Sequence, residues 1–293
     1  MPGEDQDIVL NYAAAFIDLL GQKDALKGCT LVPHEKTEAS RNEFLSMFKA
    51  SIGAIKRLHE ACDELFNISM SFRSESVRNL PPEALLEYEK ITKTNLKYQR
   101  FSDGLVAYVS LGDPEVPVPL NGIFGLIISC GGLCLLGLAM EEPLRIGLEV
   151  AWGVELKNNE LYGCVLAKSH ELESKVAGHP RVVVGDQLVE YLKFFSNTDE
   201  TVPYSFHSKK MAQHCLEMIT MDYDGYYIVD YLGLGFKKYA STSLDETLYE
   251  KAFLFVSEQL KKWRDTRRSD LASRYKLLTS YFELNRDNWI KST

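Results

Sequence analysis

The feature that most constrains the fold is a stretch without charge. From Val116 to Met140 there are 25 residues and no Asp, Glu, Lys or Arg. That is long enough to cross a bilayer as a helix. Its surroundings point elsewhere. Pro117 and Pro119 stand at its start, Gly122, Gly125, Gly131, Gly132 and Gly137 interrupt it, and Glu141 and Glu142 follow it where a membrane anchor carries basic residues. The expectation is a helix buried against a sheet, with glycines allowing close backbone approach. The chain can bury such a helix: it has 293 residues, 45% of them hydrophobic and 25% charged.

The remaining pattern supplies the sheet. Ile8 to Leu20 is mostly apolar and runs into Gly21, as a buried strand entering a turn does. Glu38 to about Asn67 carries Phe44, Met47, Phe48, Ile52, Ile55 and Leu58 at helical spacing. Pro81 and Pro82 open a second helix, Glu83 to Ile91. Leu96 to Phe101 and Leu105 to Leu111 read as strands joined by a turn at Ser102, Asp103 and Gly104. After the apolar helix come a strand (Leu144 to Val154), a helix (Leu166 to Ala177), a strand (Arg181 to Gly185), a helix (Gln187 to Phe195) and a strand (Tyr226 to Leu232). Leu244 to about Trp289 is helical and rich in charge. This order predicts an α+β fold: a mainly antiparallel sheet, helices on one face, and a helical C-terminal extension.

The net charge of -8 argues against holding nucleic acid through the overall field, but a metal ion can still make a nucleotide a substrate. The six cysteines (Cys29, Cys62, Cys130, Cys134, Cys164 and Cys215) form no CxxC pair and read as buried thiols. The acidic first residues show no secretory pattern, which points to the cytoplasm. His170 and His207 lack partners at metal-ligand spacing. Asp222 and Asp224 read as a turn before a strand, and the basic run from Lys261 to Arg268 as a solvated helix face.

Two carboxylates carry the chemistry. Asp18 ends an otherwise apolar strand, where a charge is costly to bury unless something pairs with it. Asp103 lies in the turn between two strands. Carboxylates on adjacent strands of one sheet could hold two ions against a triphosphate for an in-line displacement.

Around these residues the sequence resembles the class III nucleotidyl cyclases. AAFIDLLGQK resembles the family's first metal motif and RFSDGLVAYVS its second. LRIGLEVAWGVELKNNELYGCVLAKSHELES resembles the strand–turn–helix block that follows, and AGHPRVVVG the next strand. These pieces stand in the family's order over roughly residues 8 to 195. The resemblance implies a cyclase-like fold with a ferredoxin-like core. Its catalytic domain would span 1–195, with a helical insertion at about 38–92, and residues 196–293 would pack on it or on the dimer. Asp18 and Asp103 would bind two divalent ions, Mn²⁺ or Mg²⁺, with the carbonyl of Leu19 as a further ligand. The turn from Leu19 through Leu20 and Gly21 to Lys23 would hold the triphosphate, Phe16 would pack near the nucleotide, and Gln99 and Glu160 would read the base. The partners implied are a nucleoside triphosphate and a second copy of the chain in a head-to-tail homodimer, with neither nucleic acid nor membrane.

The departures are informative. The positions where the family has an Asn and a transition-state Arg align with Ala167 and Glu171, leaving Lys168 or Arg145 as substitutes. Gln99 replaces the Lys or Glu of purine cyclases. The metal aspartates with an altered base pocket are similar to the bacterial pyrimidine cyclases of Pycsar antiphage defence, which make cyclic UMP or cyclic CMP for a separate effector protein. That resemblance favours a uridylate cyclase. The alternative is a catalytically degenerate cyclase-fold module that binds a nucleotide or a protein. A phosphodiesterase or other metal-dependent hydrolase would call for a His/Asp-rich cluster.

Overall fold

The computed structural model describes residues 8–21, 37–72, 77, 81–101, 104–112, 120–156, 160–199, 205–240 and 244–290. In chain order its elements are β1 (Val9–Leu19), α1 (Glu38–Met70), α2 (Pro82–Thr92), β2 (Lys97–Phe101), β3 (Gly104–Ser110), α3 (Leu120–Ala139), β4 (Leu144–Leu156), β5 (Glu160–Gly163), α4 (Cys164–Glu171), a π-helical turn (Leu172–Val176), β6 (Val182–Val184), α5 (Asp186–Ser196), α6 (Ser205–Glu217), β7 (Ile219–Met221), β8 (Tyr227–Val229), α7 (Leu234–Tyr239), α8 (Glu246–Asp265), α9 (Ser269–Leu284) and α10 (Arg286–Trp289).

β1 is enclosed on both edges, antiparallel to β3 on one side and to β4 on the other. Beyond its first residues, side chains on both of its faces pack into hydrophobic cores. Tyr12, Ala13, Ala14, Ala15 and Ile17 are therefore all buried, an apolar run without alternation. The order β2-β3-β1-β4 is antiparallel throughout and interleaves two β-α-β crossovers. One runs from β1 through α1 and α2 to β2, and the other from β3 through α3 to β4. Beyond β4 the sheet continues through β6, which is parallel to β4, to β8 and β7, while β5 folds back on the far end of β4. The expected α+β fold with a mostly antiparallel sheet is what forms.

The apolar run becomes α3, in which every residue except Leu136 and Ala139 is buried. Among the described residues it is the one helix long and apolar enough to span a bilayer, and its burial makes it a core helix. It lies on the sheet face made by Ala13, Ala15, Ile17, Leu105, Ala107 and Val109, flanked by α1 and α8. Its glycines serve close approach. A Cβ on Gly125 would stand 2.6 Å from the Phe66 ring of α1, and one on Gly131 would press on the buried ring of Phe236.

The sequence expectation of helices on one face holds for this layer and fails for α4. That helix packs on the opposite face, over a second small core of Tyr12, Ala14, Val106, Tyr108, Ala151, Leu161 and Val165. Gly147 of β4 makes the contact possible. A Cβ there would collide with the Ser169 carbonyl oxygen and stand 2.6 Å from the Glu173 amide nitrogen. Both are backbone atoms that no rotamer can move aside. Gly147→Ala should therefore cost about 3 kcal/mol, a fall in Tm of roughly 6–10 °C by thermal denaturation. An unchanged Tm would mean that α4 is not seated on β4 this way.

Other departures have simple causes. β5 and β7, of 4 and 3 residues, are too short to show a period in sequence. α6 is masked by its polar composition, with a Lys pair and two His in 13 residues. Helix α1 is amphipathic, but its buried stripe is Ala54, Leu58, Cys62, Leu65 and Phe66; of the apolar residues singled out from sequence, Phe48 and Ile52 are exposed. Cys62, Cys130, Cys134 and Cys215 are buried free thiols as expected, Cys164 is half-buried, and Cys29 lies outside the described residues.

Candidate functional site

Asp18 is the penultimate residue of β1, on the face that α4 covers. The sheet register sets it opposite Gly104 on one side and Arg145 on the other. Gly104 directly follows Asp103 in the chain; Asp103 itself lies outside the described residues. Arg145 Nη2 donates to Asp18 Oδ2 at 2.8 Å and stands 2.8 Å from Glu173 Oε1. The π-helical turn after α4 delivers Glu173 to this point, with the Ala177 amide reaching back to the Leu172 carbonyl at 2.8 Å. The side chains of Asp18 and Arg145 are 25% and 21% exposed, that of Glu173 only 4%.

One guanidinium thus lies between two carboxylates at the end of β1. Carboxylate oxygens are the donors a hard divalent ion takes. The donor chemistry fits such an ion, with Arg145 as its competitor for Oδ2. Among the described residues no group of three or more His, Cys, Asp or Glu is placed to hold a metal. Sequence reasoning named Arg145 as a stand-in for the transition-state Arg and gave Glu173 no role. Arg145→Met should leave Glu173 buried without this partner and cost about 3 kcal/mol. The double variant Arg145→Met/Glu173→Met should recover most of that loss in a urea-denaturation double-mutant cycle.

Of the other expected site residues, Phe16, Leu19, Leu20 and Gly21 lie at this end of β1, whereas Glu160 lies on β5 at the far end of β4, and Gln99 is tied to β5. Leu19 is buried as the last residue of β1, opposite Leu144. The Leu20 amide, expected to face a triphosphate, donates instead to the Pro143 carbonyl at 2.9 Å. Gly21 adopts φ +91°, a conformation that suits glycine, in a turn open to solvent. Lys23 lies outside the described residues. Phe16 is the middle ring of a row, 5.7 Å from Phe101 and 4.7 Å from His170 by ring centroids. Gln99 Oε1 accepts the Leu161 amide at 2.9 Å, which ties β2 to β5. Glu160 is exposed at the start of β5.

On α4, Ala167 is exposed, and Glu171 is exposed and paired with Lys175 at 2.9 Å; that hydrogen bond holds the Glu171 carboxyl below its ordinary range. Lys168 borders an open cleft with Glu149, Lys175 and Gln187. Glu149, absent from the sequence reading, is buried in β4, and its Oε1 accepts the amides of Val150 (2.8 Å) and Leu188 (2.9 Å). It thereby caps α5 from a neighbouring strand. Burial raises its carboxyl pKa above the ordinary value.

No protein-family model matches the chain, and no curated protein matches it.

Proposed function

We propose that the chain is a metal-dependent nucleotidyl cyclase that converts a pyrimidine nucleoside triphosphate, UTP ahead of CTP, into a 3′,5′-cyclic nucleotide and pyrophosphate. The observation that carries the reading is the register at the end of β1: Asp18 lies opposite Gly104, the residue that follows Asp103, within a β2-β3-β1-β4 core whose order is that of a ferredoxin-like sheet. Two divalent ions (Mn²⁺ or Mg²⁺) bound there would activate the ribose 3′-hydroxyl and neutralise the triphosphate. Asp18 and Asp103 supply carboxylates and Leu19 its carbonyl. Arg145 stays beside the phosphates, held in place by Glu173.

Gln99 bears on the choice of base. Its carbonyl already accepts the Leu161 amide, which leaves both amide N–H groups for a ligand. Donors match the O4 acceptor of uracil and oppose the exocyclic amine of cytosine. Exposed Trp152 and Phe194, beside Tyr191 along an open groove, support a homodimer. The cyclic product would act through a separate effector in antiphage defence.

A second reading has its own observation. Arg145 sits on Asp18, and Ala167 and Glu171 provide no transition-state donor. Both fit a degenerate module that binds a nucleotide without turnover. Calorimetric titration of UTP separates the two. The cyclase reading expects affinity to rise at least about tenfold with Mn²⁺ and the rise to vanish in Asp18→Ala. UTP binding indifferent to both would favour the module.

A further inference from the structure

One nitrogen stands between two acceptors at the end of β1. Arg145 Nη2 donates to Asp18 Oδ2 at 2.8 Å and lies equally close, at 2.8 Å, to Glu173 Oε1. A divalent ion at Asp18 takes carboxylate oxygens too, so ion and guanidinium exclude each other there.

The surroundings give Arg145 a second place to go. Asp18 is the outer carboxylate, with a side chain 25% exposed, and Glu173 the inner one, at 4%. Arg145 Nε is buried and has no hydrogen-bond acceptor. The guanidinium thus commits Nη2 to two carboxylates and Nε to none. Turned onto Glu173, Nε and Nη2 make the side-on, two-bond pair that a guanidinium forms with a carboxylate. That turn satisfies Nε, keeps the buried Glu173 paired and frees the more exposed Asp18. Glu173 is a fixed inner partner. Its backbone packs so closely on Gly147 that a Cβ there would stand 2.6 Å from the Glu173 amide nitrogen.

We infer that Arg145 is a latch on Asp18: on Asp18 it blocks the carboxylate, and withdrawn onto Glu173 it opens the carboxylate to a divalent ion. The inference rests on the metal-site part of the proposed function and adds its regulation. An ion alone has to displace Arg145. A triphosphate offers the guanidinium a second anion beside Glu173 and so favours the withdrawn pose. Ion and triphosphate then load together.

Mn²⁺ alone is the probe, titrated into the full chain without nucleotide and followed by calorimetry and by the EPR signal of the free ion. A latch closed for about nine-tenths of the time or more weakens the ion's apparent affinity at least about tenfold. Arg145→Met/Glu173→Met removes the latch, leaves the net charge unchanged and strands no buried charge. It should bind Mn²⁺ at least about tenfold more tightly than the native chain, and adding Asp18→Ala should cancel the gain. No gain in the double variant, or a gain that survives Asp18→Ala, would overturn the latch. The cyclase reading is tested apart from it. Tighter Mn²⁺ binding in the double variant, with no cyclic product from UTP in the native chain, would keep the latch and remove the cyclase. Cyclic UMP from the native chain, with no gain in the double variant, would remove the latch alone.

Discussion

Asp18→Ala is expected to form at least about a thousandfold less cyclic product from UTP than the native chain, a loss of about 4 kcal/mol in transition-state stabilisation. The size follows from position. Asp18 is the described carboxylate at the end of β1, and on the proposed reading the displacement depends on the ions it holds. The fold should tolerate the change. Asp18 is partly exposed, and Arg145 keeps its second partner, Glu173. Product quantified by mass spectrometry, beside a urea-denaturation curve, separates lost chemistry from lost structure. Asp18→Asn keeps the shape and one acceptor for Arg145, so product lost in it as well would assign the effect to the charge.

The second large effect concerns stability and pH. His179 is 8% exposed, and burial, assisted by the Arg181 guanidinium, lowers its pKa to about 4 from 6.5. A depressed imidazole binds its proton more readily in the unfolded chain. The stability it confers is complete above pH 6.5 and is lost as pH falls from there toward 4. Between pH 7.5 and 4.5 the loss is about 2.5 kcal/mol. His179→Phe keeps a ring near Tyr223, now 6.4 Å away in a stacked arrangement, and removes the titration. In urea denaturation the native chain should lose about 2.5 kcal/mol more than this variant over that range. Glu149 titrates in the opposite sense, its raised pKa favouring the folded state as pH falls, but it does so in both proteins and cancels in the difference. Parallel pH profiles would show that His179 is hydrated and titrates normally.

What the sequence revealed, and what it withheld, follows from the range of the forces involved. α3 was legible because 25 uncharged residues leave few options, and its glycines, proline-bearing start and acidic flank weighed against a membrane span before any contact was known. Asp18 was legible as the lone carboxylate at the end of an apolar strand. Its partner was not. Arg145 is 127 residues away, and only the β1–β4 register brings the two together. Glu173 reached the site through a π-helical turn, a local irregularity without a periodic signature. Asp222 and Asp224 were rightly read as a turn, and Gly225 adopts φ +84° there. Their carboxylates clasp the buried Arg181, at 2.5 Å for Asp222 and 2.7 Å for Asp224, and composition gave no sign of it. Leu20 shows the converse. The resemblance places it in a turn that would hold a triphosphate, and its amide is engaged by Pro143 once the chain folds.

The central claim is that this chain closes a pyrimidine nucleotide into a ring. It is tested most directly by incubating the purified protein with ATP, GTP, CTP and UTP separately, each with Mn²⁺, and identifying the products by mass spectrometry. The account predicts cyclic UMP and pyrophosphate from UTP, less product from CTP, and none from UTP with Asp103→Ala. No cyclic product from any of the four would contradict it.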